Sequence, residues 1–232
     1  MAVVDLHWHA RALLGQARWR STRSVIAQWL AQAPGGFDDL LLFGASAGWM
    51  MDDGFLARFR RIDAIDFDVT ASPLFRVRHA RVILQHRIDL RFHRREALAS
   101  LEQMLALRPR ALVLFDNVLG QYTLTCPDIA QAERTLGQLQ YRLQGRAWGS
   151  IHDALSGRGQ RLTAGGEPPP LALAGGVPWP DANLLAQVGA QGTWREHLTR
   201  QLMPPGTACT LIPWQITPGY WHWLQAAWVT RW

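Results

Sequence analysis

A short, wholly apolar segment that runs into a glycine-bounded turn places the strongest constraint on this fold. Residues 40–43 read LLLF and are followed at once by Gly44-Ala45-Ser46-Ala47-Gly48. A strand that is apolar at every position is typical of a parallel sheet covered on both faces. The glycines allow backbone N–H groups to approach a ligand at the start of a following helix. The segment therefore predicts a buried strand that leads into either an ordinary βα turn or a ligand-binding one.

Strand-like and helical segments then alternate along the chain. Further strands are predicted at 62–67, 82–85, 111–115 and 147–151, and helices at 49–60, 72–81, 96–107 and 129–143. Such alternation predicts a parallel sheet with right-handed crossover connections. Polar residues follow the predicted carboxyl ends of these strands, which is where open α/β sheets bind their ligands.

The two ends of the chain depart from this alternation. Residues 5–33 carry apolar residues at helical spacing, and Pro34-Gly35-Gly36 ends them. Residues 157–183 are rich in proline and glycine and predict a long loop, either a lid over the site or a surface insertion. A helix is predicted near 194–202. Residues 208–216 and 223–229 predict a closing antiparallel hairpin.

The composition excludes several classes of protein. Of the 232 residues 48% are hydrophobic, which is enough for a large core without covalent cross-links. Cys126 and Cys209 have neither disulfide nor metal-ligand spacing, so no metal site is predicted. The net charge is +6, yet the chain contains no lysine, which excludes a lysine Schiff base and a P-loop. No apolar run reaches membrane-spanning length and no secretory signal is evident, so a cytoplasmic protein is expected.

Arginine and tryptophan are concentrated in two regions. Seven arginines lie within residues 76–95, where a solvated face is favoured over a phosphate-binding patch, so a nucleic-acid partner is not favoured. Five tryptophans lie within residues 214–232. Core packing is favoured for these, and an aromatic substrate pocket or a homodimer face is the alternative.

The glycine-bounded turn admits more than one chemical interpretation. As Gly-x-Ser-x-Gly it matches a nucleophile elbow at Ser46, but only helical sequence precedes it, and a hydrolase needs earlier strands for its oxyanion hole. The turn also resembles the cofactor loop of short-chain dehydrogenases, with Asp116-Asn117-Val118-Leu119-Gly120 at the place of a second family motif. That family has a third glycine where Met50 stands, and a lysine four residues after its catalytic tyrosine.

Residues 37–232 resemble the class I S-adenosylmethionine-dependent methyltransferases more fully. The resemblance assigns cofactor contacts to Gly44, Ala45, Ser46 and Gly48 in the turn, and to Asp66, Asp89 and Asp116 near the second, third and fourth strands. In this family the second-strand acid binds the ribose hydroxyls and the third-strand acid lies near the adenine. The chain departs from the family pattern at Leu42, which stands where an acid is usual, and at Ser46, which replaces the middle glycine.

The resemblance implies a specific fold and function. The expected fold is a three-layer α/β/α sandwich with a mostly parallel, seven-stranded Rossmann-like sheet. It has an antiparallel hairpin at its C-terminal end and a helical cap formed by residues 1–36. The expected cofactor is S-adenosylmethionine, and the expected partner is a small-molecule methyl acceptor oriented by His152, Asp153 and Asn117. Two alternatives stay open: a non-catalytic binding protein of the same fold, and a nicotinamide oxidoreductase without the usual lysine.

Overall fold

The computed structural model describes residues 6–160 and 166–230, except for the side chain of Leu6. The helices are α1 (Leu6–Gly15), α2 (Arg20–Ala31), α3 (Asp53–Leu56), α4 (Ala71–Arg78), α5 (Ala80–His86), α6 (Ala97–Leu107), α7 (Val118–Thr125), α8 (Ile129–Gly137), α9 (Leu139–Arg142) and α10 (Asp181–Gln187). The strands are β1 (Asp39–Phe43), β2 (Arg61–Asp66), β3 (Asp89–Arg94), β4 (Leu112–Asp116), β5 (Trp148–Arg158), β6 (Leu171–Ala174), β7 (Gln191–Glu196), β8 (Ala208–Thr217) and β9 (Tyr220–Val229). Of the helices in the described ranges, none is long and apolar enough to cross a membrane.

The strands form one mixed sheet in the order β3-β2-β1-β4-β5-β9-β8-β6. Strands β1 to β5 run parallel, whereas β9 is antiparallel to β5 and β8 is antiparallel to β9. Two strands exceed the predicted seven. β6 extends the sheet beyond β8, and β7 pairs with the last residues of β5. The predicted parallel sheet with a closing hairpin is therefore confirmed, and its strand number is nine in the described residues.

Helices cover both faces of the sheet because the strands are apolar on both sides. Along β1, Leu40 and Leu42 pack with the core on the side of α1 to α5. Leu41 and Phe43 pack with a second core on the side of α6, α8 and α9. All four side chains are fully buried, and burying each contributes roughly 1.5–3 kcal/mol relative to leaving it exposed. The three-layer arrangement follows from this strand alternation.

The two N-terminal helices are bound to the closing hairpin. Trp19 donates from Nε1 to the carbonyl of Ile216 at 3.2 Å, and Thr22 donates from its hydroxyl to the carbonyl of Pro213 at 2.9 Å. At the other end of α2, the ring of Trp29 stacks on Trp228 with centroids 4.7 Å apart. These contacts hold α2 on the hairpin, and Trp8 of α1 lies edge-on to Trp214 of β8 with the ring centroids 6.0 Å apart.

Two elements near the glycine-bounded turn differ from prediction. The helix predicted at 49–60 is an irregular segment followed by the single-turn α3, because Trp49, Met50 and Met51 are all buried in the core and tertiary packing overrides their helical spacing. The strand predicted at 82–85 lies within α5. That helix ends at His86. The next residue, Arg87, has a left-handed φ of 51° and redirects the chain towards β3.

The later insertion also differs from prediction. The region 157–183 contains the end of β5, all of β6 and the start of α10, and residues 161–165 lie outside the described ranges. The helix predicted near 194–202 is instead partly β7, which pairs antiparallel with β5. The predicted hairpin at the C-terminal end is confirmed as β8 and β9, and the predicted N-terminal helices are confirmed as α1 and α2.

Candidate functional site

A cavity of about 660 Å³ lies at the carboxyl ends of the parallel strands. It is lined by residues at or just after the ends of β1, β2 and β4 and by residues within β5, and α1 and the β8–β9 hairpin close it from the side. The chain passes outward from β1 to β3 and returns to β4 on the other side of β1, so the cavity lies at the topological switch point of the sheet. Open α/β sheets bind ligands at this point, and the volume is typical of small-molecule sites.

Asp66, the last residue of β2, presents its carboxylate to this cavity. Its Oδ2 accepts the backbone N–H of Ser46 at 2.7 Å, and its Oδ1 accepts the N–H of Asp68 at 2.8 Å. Burial raises the pKa of Asp66, an effect that the two N–H donors oppose and the neighbouring charge of Asp68 reinforces. The carboxylate therefore connects the turns that follow β1 and β2.

The predicted glycine-bounded turn contributes only part of its length to the cavity. Gly44 and Ser46 line it, whereas Ala45 is fully buried in the core and Gly48 packs against Phe75. Gly44 has a φ of 77°, and a Cβ there would meet the carbonyl oxygen of Asp116 at 2.5 Å. Because glycine alone fits this approach, the ends of β1 and β4 come together at the cavity floor.

Two predicted site residues lie elsewhere. Asp89 begins β3 rather than following a strand, so it lies at the opposite edge of the sheet, where it pairs with Arg61 and Arg91. His152 lies within β5 rather than after it and is fully buried. Its ring bonds to Ser150 and Gln225 on the side of the sheet away from the cavity, and burial lowers its pKa to about 4.

Asn117 follows β4, and Asp153 lies within β5 rather than after it, but the structure brings the two side chains together. Asn117 donates from Nδ2 to Oδ2 of Asp153 at 3.0 Å, and its Oδ1 accepts the backbone N–H of Asp153 at 2.8 Å. A Cβ at Gly120 would lie 2.5 Å from that same backbone nitrogen, so only glycine allows α7 to approach β5 this closely. Both Asn117 and Asp153 line the cavity.

Asp153 also holds a histidine that the sequence patterns do not single out. Nδ1 of His222, in β9, lies 2.7 Å from Oδ1 of Asp153. Burial alone would raise the pKa of Asp153, but its interactions with His222, His197 and Asn117 hold it below its ordinary value. The result is a buried carboxylate that fixes one ring nitrogen of a cavity-lining imidazole.

A β-bulge in β5 lies directly beside the contact between Asp153 and His222. The register between β5 and β9 shifts between Asp153 and Leu155, so Ala154 is the extra residue. The shift puts Asp153 and Ser156 on the cavity side, whereas Leu155 packs into a separate apolar cluster. Bulges next to functional sites commonly re-aim a side chain in this way.

A second histidine in the cavity has both ring nitrogens engaged. His197 bonds from Nδ1 to the carbonyl of Gly120 at 2.7 Å, so that nitrogen carries the proton. Its Nε2 then accepts from the hydroxyl of Ser156 at 2.9 Å. Burial lowers the pKa of His197, which favours this neutral form. His197 is thus a structural partner of Gly120 and Ser156.

Helix α1 is joined to the two turns that hold the cavity. Trp49 can only donate, so its 3.0 Å bond from Nε1 makes Nδ1 of His9 an acceptor and leaves the ring proton on Nε2. That nitrogen lies 2.8 Å from Oδ2 of Asp68. One residue earlier, Trp8 donates from Nε1 to the hydroxyl of Ser46 at 3.1 Å. These bonds tie α1 to the turns after β1 and β2.

The residues missed by sequence reasoning share one signal. Along β9, Tyr220 and His222 alternate with the buried Trp221 and Trp223. A strand with polar residues on one face and large apolar residues on the other predicts that the polar face meets a ligand or solvent. The tryptophan packing that the sequence favoured is correct for Trp214, Trp221 and Trp223, which are buried. Trp232 lies outside the described residues.

Comparisons with known proteins give structural matches only. No protein-family model matches the chain, and no curated protein does. The N-methyltransferase NodS from Bradyrhizobium japonicum, solved with S-adenosyl-L-homocysteine (SAH), is 15% identical over 90% of this chain and 86% of its own, with a TM-score of 0.45. Magnesium protoporphyrin IX methyltransferase from Synechocystis, solved with SAH, is 15% identical over 90% and 82%, with a TM-score of 0.46. An O-methyltransferase family protein from Burkholderia thailandensis is 13% identical over 97% of this chain and 60% of its own, with a TM-score of 0.43.

The strand order itself identifies the fold class. The sheet runs β3-β2-β1-β4-β5-β9-β8 with β9 reversed, which is the mostly parallel Rossmann-like sheet with a closing antiparallel hairpin that the sequence predicted. A dinucleotide-binding sheet of order 3-2-1-4-5-6 adds its next strand parallel instead. The reversed β9 and the absence of lysine together argue against the oxidoreductase alternative.

Proposed function

We propose that the protein binds S-adenosylmethionine in this cavity and transfers its methyl group to a small-molecule acceptor. The observation that carries the proposal is the carboxylate of Asp66, which ends β2 at the edge of the cavity beside the switch point. Its position matches the role that the sequence resemblance assigns to it. The acceptor side of the cavity is then the part that Asn117, Asp153 and the β8–β9 hairpin enclose.

The residues around Asp66 fit this cofactor. Each carboxylate oxygen accepts one backbone N–H and has lone-pair capacity left for a ribose hydroxyl. The neighbouring Phe67 also lines the cavity and is 46% exposed, so it offers an apolar ring to a purine. When bound, the cofactor supplies an electrophilic methyl group on a sulfonium sulfur.

The chain's own contribution is positioning and exclusion of water. Trp8 and Ser46 close one side of the cavity through their hydrogen bond, and Asn117 fixes Asp153 on the other side. A bound acceptor would be held between these two sides in line with the methyl group. Proximity and orientation of this kind supply a large share of the rate enhancement in group transfer.

Calorimetric titration with SAH tests the proposal. We expect Asp66→Ala to weaken SAH binding by roughly 1–3 kcal/mol, which is about 5- to 150-fold in Kd, because the ribose hydroxyls lose a buried acceptor. Asp38→Ala is the matched control, because that carboxylate is exposed at the opposite edge of the sheet. Circular dichroism verifies that both variants fold. A wild-type protein that does not bind SAH, or an Asp66→Ala protein that binds it equally well, would contradict the proposal.

Leu42 favours a second candidate, a binding protein that keeps the fold without catalysis. The position that carries an acid in the resembling family is here a fully buried core residue. Such a protein would bind an unrelated ligand rather than SAH and would release no methyl group from S-adenosylmethionine to any acceptor. Transfer of a radiolabelled methyl group to an added small molecule separates the two candidates.

A further inference from the structure

The imidazole of His222 is arranged as a base rather than as a structural donor. Its Nδ1 faces a carboxylate that only accepts, so the proton lies on Nδ1 and Nε2 carries a lone pair. Among the described residues no hydrogen bond occupies that Nε2 atom. The side chain lines the cavity and is 12% exposed, whereas its partner Asp153 is only 2% exposed. A buried carboxylate that orients a reachable imidazole is the usual construction of a general base.

Asp153 is itself held in place from a second side. Asn117 bonds both to the Asp153 carboxylate and to its backbone N–H, and the bulge at Ala154 fixes the direction of the side chain. Rotation of the carboxylate would therefore break its hydrogen bond with Asn117 as well as the one with His222. Its lowered pKa keeps it ionised across the neutral range, which favours the imidazolium that forms when His222 takes up a proton.

The surroundings of His222 are aromatic. The ring of Trp214 lies 5.5 Å from it, and the ring of Tyr220 lies 5.6 Å from it in an edge-on orientation. Trp8 extends this wall, with its ring 6.0 Å from Trp214. All of these side chains line the cavity. Rings packed in this way favour a flat aromatic ligand through stacked and edge-to-face contacts.

We infer that His222 is the general base for methyl transfer to an aromatic hydroxyl, so that the acceptor is a phenol. This inference rests on the proposed function. A carboxylate acceptor is already ionised near neutral pH and needs no base, whereas a phenol, with a pKa of about 10 like that of tyrosine, must lose its proton to react. An imidazole whose Nε2 carries an unoccupied lone pair is a suitable acceptor for that proton.

The step balances in atoms and charge. The hydroxyl proton of the phenol moves to Nε2 of His222, and a lone pair of the phenol oxygen forms the new O–CH₃ bond. The bond between the methyl carbon and sulfur breaks with its electron pair left on sulfur. The products are an aryl methyl ether, SAH and an imidazolium, which returns its proton to solvent after release.

A binding experiment tests the base without requiring turnover. The protein is saturated with SAH, and 4-nitrophenol is added below its own pKa while the absorbance of the nitrophenolate is recorded. We expect the wild-type complex to bind the phenol and to increase its ionised fraction, because the proton moves to His222. His222→Gln should bind SAH with unchanged affinity but produce no such increase. His86→Gln, at an exposed position in α5, should behave as the wild type.

A transfer experiment gives an independent readout. We expect His222→Gln to methylate weakly acidic phenols roughly 10²- to 10⁴-fold more slowly than the wild type, the usual contribution of a general base. The deficit should shrink as the phenols become more acidic, because these ionise without help. A deficit of equal size for all phenols would assign His222 a purely structural role and overturn the inference.

Other outcomes also decide the question. Intact SAH binding together with no binding of any phenol in a series of mono- and dihydroxybenzenes would overturn the phenol assignment. Preferential methylation of alkylamines over phenols would also overturn the phenol assignment. A wild-type protein that does not bind SAH would contradict the proposed function rather than the phenol assignment alone. Should His222→Gln fail to fold, Asp153→Asn replaces it. That variant should hold the wrong ring tautomer and slow transfer while SAH still binds.

Discussion

The charge of Asp116, which lines the cavity, depends on its surroundings. Burial raises its pKa to about 7, and the charge of Asp66 adds to the effect. An acid whose pKa is higher in the folded state holds its proton while the unfolded chain ionises. Folded stability is therefore lost as the pH rises from about 4 towards 7. The two acids at the ends of β2 and β4 thus carry fewer than two negative charges near neutral pH.

Replacing Asp116 should stabilise the protein in a pH-dependent way. We expect Asp116→Asn to raise the free energy of unfolding by on the order of 1–3 kcal/mol at about pH 8 and to have little effect near pH 4, because the amide carries no charge to bury. Urea denaturation at both values measures this. Asp38→Asn, which is exposed, should change neither value. A gain of the same size at both pH values would show that charge is not the cause.

His152 gives the opposite pH dependence. Its pKa of about 4 in the folded protein lies below that of the unfolded chain, so the unfolded state takes up a proton first as the pH falls. Between about pH 6.5 and 4, the wild type should lose up to about 1.4 kcal/mol of stability per pH unit from this group. His152→Gln should show a shallower decline over this range, measured by urea denaturation. An unchanged slope would show that His152 is not the group responsible.

At the scale of elements, α1 is the element whose attachment bears most directly on the cavity. His9 bridges Asp68 and Trp49, and Trp8 bonds to Ser46, so the helix contacts the turns after both β1 and β2. The His9 ring is only 4% exposed. Removing it leaves the indole N–H of Trp49 without its acceptor and takes one hydrogen bond from Asp68, which keeps those from Thr70.

We expect His9→Leu to destabilise the protein by about 1–3 kcal/mol, the usual cost of leaving buried polar groups unsatisfied. SAH binding should weaken as well, because the turns that carry Ser46 and Asp68 lose their common anchor. Thermal unfolding and calorimetry measure the two effects, with His86→Leu as an exposed control. A variant of unchanged stability would mean that α1 is held by its apolar contacts alone.

The sequence predicts the position of the β8–β9 hairpin correctly. It does not single out the hairpin histidine that lines the cavity. The hairpin's alternating pattern and the turn before Tyr220 predict two antiparallel strands, which the structure confirms. The sequence patterns treat its aromatic residues as packing and do not single out His222. The role proposed for His222 as a base depends on its contact with Asp153 in β5. No local pattern in the hairpin can reveal that contact.

At the scale of the whole molecule, ligand binding should act on every element that meets at the cavity. Because SAH would bind only the folded chain, it should stabilise the protein by about 2.7 kcal/mol at 100 times its Kd. Thermal unfolding at a series of SAH concentrations measures this stabilisation. Asp66→Ala should show the same stabilisation only at correspondingly higher SAH concentrations. A melting temperature that does not respond to SAH would favour the second candidate function.

The amino-acid sequence was sufficient to predict β1, β2, β4 and the start of β5 in the parallel sheet, because burial on both faces leaves a local apolar signature. It also located Asp66, Asp116, Asn117 and Asp153 near the site, since strand ends gather at one edge of a parallel sheet. It was wrong for residues 82–85, and therefore for Asp89, because a short apolar run does not distinguish a strand from a helix.

Which side chains face the cavity depends on contacts between distant parts of the chain. His152 and Asp153 are neighbours in sequence, but strand alternation sends them to opposite faces, and the bulge at Ala154 then aims Asp153 at His222. The close approach at Gly120 brings Asn117 to the same carboxylate. These pairings join residues 36 and 69 positions apart in the chain, and no local pattern encodes such distances.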